Sequence, residues 1–182
     1  MKIIVAVTAA SGAIYARLLL EQLIECQSVE KIALILSSNA EAVAQTEQVT
    51  LPVSDKIVRY NNDDMYASPA SGSASWDAMV VIPSSVGTAG RIAAGVSSTL
   101  IERAADVMLK ERRRLILVVR ETPLSLIHLR NFTTITEAGG IILPASPSFY
   151  SNPQDIESLC RTVVERVAAL IGLPTPRYEW GE

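Results

Sequence analysis

Four short stretches of this 182-residue chain carry most of its chemical potential. Thr8-Ala9-Ala10-Ser11-Gly12 is a run of small residues whose backbone N–H groups can approach a phosphate, helped by the partial positive charge of a helix start. It matches neither GxGxxG nor a Walker loop, and it also reads as a plain tight turn. Ser84-Ser85-Val86-Gly87-Thr88 is a second such run. It can grip a phosphate or a flavin ring edge, or Ser84 or Ser85 can simply cap a helix. Arg120-Glu121 offers a guanidinium suited to bidentate phosphate contact, or a solvated rim ion pair. Ser148-Phe149-Tyr150 ends in a phenol that can hold a phosphate oxygen or pack in a core.

Other titratable residues are sparser. Arg103 and Lys110 lie seven apart on one expected helix, hence on one face. The run Lys110-Glu111-Arg112-Arg113-Arg114 reads as a solvated helix end whose cations suit the macrodipole. Glu47, at the end of the second expected helix, can act as acid or base. Asp63-Asp64 is not the DDxxD cluster that holds magnesium on prenyl diphosphates. His128, expected mid-helix in LSLIHLRN, reads as structural. Cys26 and Cys160 form no CxxC pair and no metal set with that one histidine, so no metal is expected and a reduced, cytoplasmic setting is. The start, MKIIVAVTAASG, has too short an apolar core for a signal peptide.

The elements that must position these groups follow from hydrophobic periodicity. Five β-branched or apolar runs read as buried parallel strands: residues 2–8, 31–37, 78–82, 115–119 and 141–143. A short strand piece fits Ile57-Val58-Arg59, inside a long polar loop over 52–75. Helical spacing covers 13–26, 40–49, 89–94, 97–113, 125–138 and 154–171. Strands alternating with helices predict a three-layer α/β, doubly wound, mostly parallel sheet in one domain over 1–182. Ligands of such sheets bind beyond the carboxyl ends of the strands, where all four stretches fall.

Composition closes off other classes. With 49% apolar and 19% charged residues, disorder is excluded. No apolar run of about eighteen residues exists to span a membrane. The mean hydropathy of +0.28 then points to burial between subunits. A net charge of −3 and 5% aromatic residues leave no basic, stacking surface for nucleic acid.

Several motifs together resemble the flavin prenyltransferase family, the UbiX type, historically named aromatic acid decarboxylases. They are Ala10-Ser11-Gly12-Ala13-Ile14-Tyr15, Ser71-Gly72-Ser73, Glu102-Arg103-Ala104-Ala105-Asp106-Val107 with Leu109-Lys110-Glu111-Arg112-Arg113, Arg120-Glu121-Thr122-Pro123-Leu124-Ser125, and Phe149-Tyr150 with Pro153-Gln154. The resemblance spans the chain up to Arg177 and Trp180. It implies a Rossmann-like or flavodoxin-like flavoprotein that builds trimers and dodecamers. It implies transfer of a dimethylallyl group from dimethylallyl monophosphate to N5 and C6 of reduced FMN, without metal, for a UbiD-type decarboxylase.

Residue by residue, the resemblance implies FMN contacts from Ala9, Ala10, Ser11, Ser37, Ser85, Val86, Gly87, Thr88 and Arg120, with added charge from Arg103. Tyr150 and Arg166 would hold the prenyl phosphate beside Arg120, with Lys110 and Glu121 completing the pocket. Ser11 and Glu47 would serve proton movements near flavin N5. Trp180, in the tail 173–182, would reach a neighbouring subunit. The chain departs from the family pattern in having Ala9 where Gly is common, Ser84 where Cys is common, and a shifted aromatic at Met65-Tyr66. Two rivals are an FMN-dependent cysteine decarboxylase, which needs a histidine soon after the first helix, and a non-catalytic FMN-binding subunit of a decarboxylase system.

Overall fold

The computed structural model describes residues 1–174. In chain order its elements are β1 (Lys2–Val7), α1 (Ala13–Glu25), β2 (Lys31–Leu36), α2 (Ala40–Thr46), β3 (Ile57–Tyr60), β4 (Ala78–Ser84), α3 (Val86–Ala93), α4 (Leu100–Lys110), β5 (Arg114–Val119), α5 (Leu126–Glu137), β6 (Ile141–Pro144) and α6 (Ile156–Leu170). Two short 3-10 turns, Ser68–Ala70 and Gly72–Ala74, precede β4.

The six strands form one parallel sheet in the order β3-β2-β1-β4-β5-β6. Alternate residues of each central strand enter two separate cores. Ile3, Val5 and Val7 of β1 face α1 and α6, whereas Ile4 and Ala6 face α3 and α4. A strand buried on both sides has no polar face, so it appears in the sequence as a continuous apolar run. The expected short strand at 57–59 is β3, the edge partner of β2.

Three of the helix boundaries that differ from expectation bear on the site, and β4 runs on to Ser84, past its expected end at 82. The second helix stops at Thr46, because Gln48 turns into the left-handed region at φ 56°. The third begins at Val86, so Val86, Gly87 and Thr88 form a helix's first turn and not a free loop. The fourth begins only at Leu100, where Thr99 and Glu102 form a reciprocal capping box. Pro83 sits inside β4, where the register against β5 shifts, which is where a residue without an N–H is tolerated in a central strand.

Candidate functional site

Strand order reverses between β1 and β4, and the two small-residue turns meet there as one structure. Thr8, only 2% exposed, joins them. Its hydroxyl donates to the Pro83 carbonyl at 2.8 Å and accepts the Ser85 N–H at 2.8 Å. Its own N–H also donates to Pro83 O, at 3.2 Å. Ser37, just after β2, donates its N–H to Val7 O at 2.9 Å. Arg120, just after β5, donates its N–H to Ser84 O at 3.3 Å and its Nε to Ser11 O at 3.1 Å. The carboxyl ends of β2, β1, β4 and β5 thus share one rim.

The charge on that rim is not where the sequence suggested. The Gly12 N–H donates to both Glu47 carboxylate oxygens, at 2.9 and 3.1 Å, and the Ala13 N–H to Oε2 at 2.7 Å. Glu47 therefore already fills the anion position at the start of α1. Burial alone would raise its pKa, but the Ser11 hydroxyl, the two N–H groups and the charge of Arg120 outweigh burial and hold it below the usual carboxylate range. Ser11 is thereby a donor to an ionised acceptor.

The start of α3 is open by contrast. Ser85 caps it, accepting the Thr88 N–H at 3.3 Å, while the Val86 and Gly87 N–H groups have no partner among the described residues. Those two donors are left for water or a ligand, and the helix start favours a negatively charged one. Nearby, the Ser37 Oγ is buried with no hydrogen-bond partner among the described residues. Both features fit a phosphate-bearing, hydrogen-bonding ligand lying across the rim.

Behind α3 lies an ionic connection that sequence reasoning missed. Glu102, 1% exposed, accepts the Ser98 N–H and hydroxyl at 3.0 and 2.6 Å and the Thr99 N–H at 3.0 Å. It also takes the Arg91 Nε, whose Nη2 donates to the Thr88 Oγ1 at 3.3 Å. Burial pushes this carboxyl up, yet the Ser98 hydroxyl and Arg91 more than offset it, so Glu102 is ionised. The one sequence signal was the capping-box spacing Thr99-x-x-Glu102.

A protein-family model for flavoproteins matches residues 1–170. The flavin prenyltransferase UbiX of Pseudomonas aeruginosa is 41% identical over an alignment that covers all of this chain and 94% of that protein. The chain belongs to the UbiX flavin prenyltransferase family. The crystal structure of AnUbiX in complex with FMN and dimethylallyl pyrophosphate superposes with a TM-score of 0.91, at 41% identity, covering 100% of this chain and 98% of that one. A dodecameric FMN-dependent UbiX-like decarboxylase from Escherichia coli O157:H7 superposes at 0.92 with 38% identity over the full length of both chains.

Against the family's expected site, the fold gathers Ala9, Ala10, Ser11, Ser37, Glu47, Ser85, Val86, Gly87, Thr88 and Arg120 on one rim. FMN fits there, because the unpaired α3 amides and the orphaned Ser37 hydroxyl are complementary to its phosphate and polar edges. Ala9 has no positive φ, so the missing glycine costs no backbone strain. Buried Ser84 contributes packing, and Ser85 is the cap.

Other expected positions lie elsewhere in this chain. Lys110 ends α4 just before β5 starts, at the opposite edge of the sheet, a strand's length or about 20 Å from the rim. There it pairs with Glu111 at 2.6 Å and lines a cleft of about 600 Å³ with Arg112, Arg113 and Glu137. Arg103 is engaged elsewhere, donating to Ala70 O at 3.1 Å and pairing with Asp106 at 2.8 Å. Arg166 is exposed one turn from the end of α6, whose last residue, Leu170, accepts from Arg114 at the start of β5. Glu121 follows β5 but turns its carboxylate onto the Thr122 N–H at 3.0 Å. Tyr150 lies after β6 in a cleft of about 830 Å³ with Arg161 and Glu165. Trp180 and Arg177 lie outside the described residues.

His128 is structural, though at the first turn of α5 and not mid-helix. Its Nδ1 accepts the Ser125 N–H, and its own N–H donates to Ser125 Oγ. The expected solvated cations divide: Arg112 is exposed, but Arg113 bonds Gly72 O at 2.8 Å with its Nη1 buried. Tyr66 projects wholly into solvent, so it walls no pocket in this chain. Among the described residues, no group of three or more His, Cys, Asp or Glu could hold a metal ion, and no helix is long and apolar enough to cross a membrane.

Proposed function

We propose that this protein joins the dimethylallyl group of dimethylallyl monophosphate to N5 and C6 of reduced FMN, and that the product serves a UbiD-type decarboxylase. One observation carries the reading: full-length 41% identity to a protein crystallised with both FMN and dimethylallyl pyrophosphate. The clasped turns with an open α3 start support it.

In this reading Ala9, Ala10, Ser11 and Ser37 border the flavin, and Ser85, Val86, Gly87 and Thr88 receive its phosphate at the helix start. When bound, reduced FMN supplies the nucleophilic ring atoms. Arg120, held by Ser11 O, presents its remaining guanidinium donors to anionic oxygens on the rim. The Glu47 carboxylate accepts the Ser11 proton in its hydrogen bond, so this pair can hold or return a proton at Ser11 Oγ.

Departure of phosphate without a metal needs cations and donors, for which Lys110, Arg120, Tyr150 and Arg166 are the candidates, with Glu121 beside Arg120. Because Lys110 and Arg166 lie off their own chain's rim and Arg103 is bound to Ala70 and Asp106, they serve a neighbouring copy's site in this reading, as the tail with Trp180 does. A homo-oligomer of trimers assembled into a dodecamer accommodates that, and α5 supports it with exposed Leu126, Ile127 and Leu129. The free cysteines Cys26 and Cys160 suit the cytoplasm.

Incubating the full chain with reduced FMN and either dimethylallyl monophosphate or its diphosphate tests the reading. The flavin should gain the mass of one five-carbon unit, with the monophosphate as the better donor. Unchanged flavin with both esters, beside a working relative, overturns it and leaves a non-catalytic flavin-binding subunit.

A further inference from the structure

Arg91 has no place in the roles above, yet it folds back over the first turn of α3. Its Nη2 donates to Thr88 Oγ1 at 3.3 Å, and its Nη1 lies 3.5 Å from where a Cβ on Gly87 would stand. Its Nε is tied to the buried Glu102, which Ser98 and Thr99 hold from the far side. Thr88 Oγ1 also accepts the Ser85 hydroxyl at 3.1 Å. With its oxygen accepting twice, the Thr88 hydroxyl has its own hydrogen left to donate toward the helix start. Nη1 makes no hydrogen bond among the described residues, so the contact of Arg91 with the first turn of α3 runs through Thr88.

We propose that Arg91, anchored by Glu102, is a positioning residue for the flavin phosphate: it fixes the Thr88 hydroxyl as an outward donor at the α3 start. This rests on the reading of that turn as the FMN phosphate site. The guanidinium is half-exposed, so truncating it leaves no buried cavity, and Glu102 keeps its three partners from Ser98 and Thr99.

The test compares FMN with riboflavin, which lacks the phosphate, by quenching of flavin fluorescence on the full chain. Arg91→Ala should raise the Kd for FMN about tenfold, the scale of one charge-assisted hydrogen bond, and leave riboflavin within about twofold. Arg91→Lys should recover part of the loss. In a Thr88→Val background, Arg91→Ala should add little, because its effect runs through the hydroxyl. Equal weakening of both flavins, unchanged FMN binding, or independent losses in the double variant overturn the inference. A wild-type chain that binds riboflavin as tightly as FMN, or neither, instead strikes the phosphate site itself and takes the inference with it.

Discussion

At the scale of single residues, Glu47 decides where an anion can sit. Two backbone N–H groups that a ligand phosphate could have used are given to an internal carboxylate. Its pKa is lowered on folding, so it stabilises the fold above its unfolded value of about 4.3 and loses that contribution as the pH falls through its lower folded value. Glu47→Gln should cost about 1–2 kcal/mol at neutral pH, because an amide accepts with one oxygen and presents an N–H where an acceptor is needed. Urea unfolding followed between pH 3 and 6 should also show a flatter acid limb in this variant, with the wild type converging on it at the acid end. The identity of Glu47 as a titratable candidate was readable in the sequence. Its contact with residues 35 positions away was not, since nothing local encodes a bond across that separation.

Among elements, the start of α1 shows how a turn residue sets a site. Gly12 adopts φ 113°, and a Cβ there would come within 2.9 Å of the Tyr15 ring. Gly12→Ala should lose at least about 1 kcal/mol from backbone strain alone, with more from the displaced ring. A lower urea midpoint at unchanged slope would register it. FMN affinity should fall as well, since the same turn carries Ser11, whose carbonyl holds Arg120. A variant with wild-type stability and affinity would show that the turn relaxes freely. The strands and most helices were readable because their apolar periods are strong. The late start of α4 was not, because Ser97 or Ser98 can start a helix by residue type while Glu102 draws Ser98 and Thr99 into a cap.

For the whole molecule, the distribution of exposed apolar residues matters most. α5 buries only Ile135, and Ile127 on it is 68% exposed. A monomer seldom leaves such a face to water. Ile127→Asp should break or shrink the assembly, read by light scattering, while leaving the monomer's fold intact because the residue packs in neither core. An unchanged mass would place the subunit contact elsewhere. If cations from one copy complete a neighbour's site, prenyl transfer should fall with assembly size, and FMN binding to the rim should persist.

The amino-acid sequence alone determined the alternating α/β architecture, the apolar strands and the small-residue turns at their carboxyl ends, because these rest on local period and residue size. Only the tertiary structure decided that the two turns are one body clasped by Thr8, that Glu47 and not a ligand occupies the start of α1, and that Lys110 and Arg166 stand across the sheet from Arg120. Those outcomes depend on strand order and on which end of each helix a residue occupies, and neither is a property of any short stretch of chain.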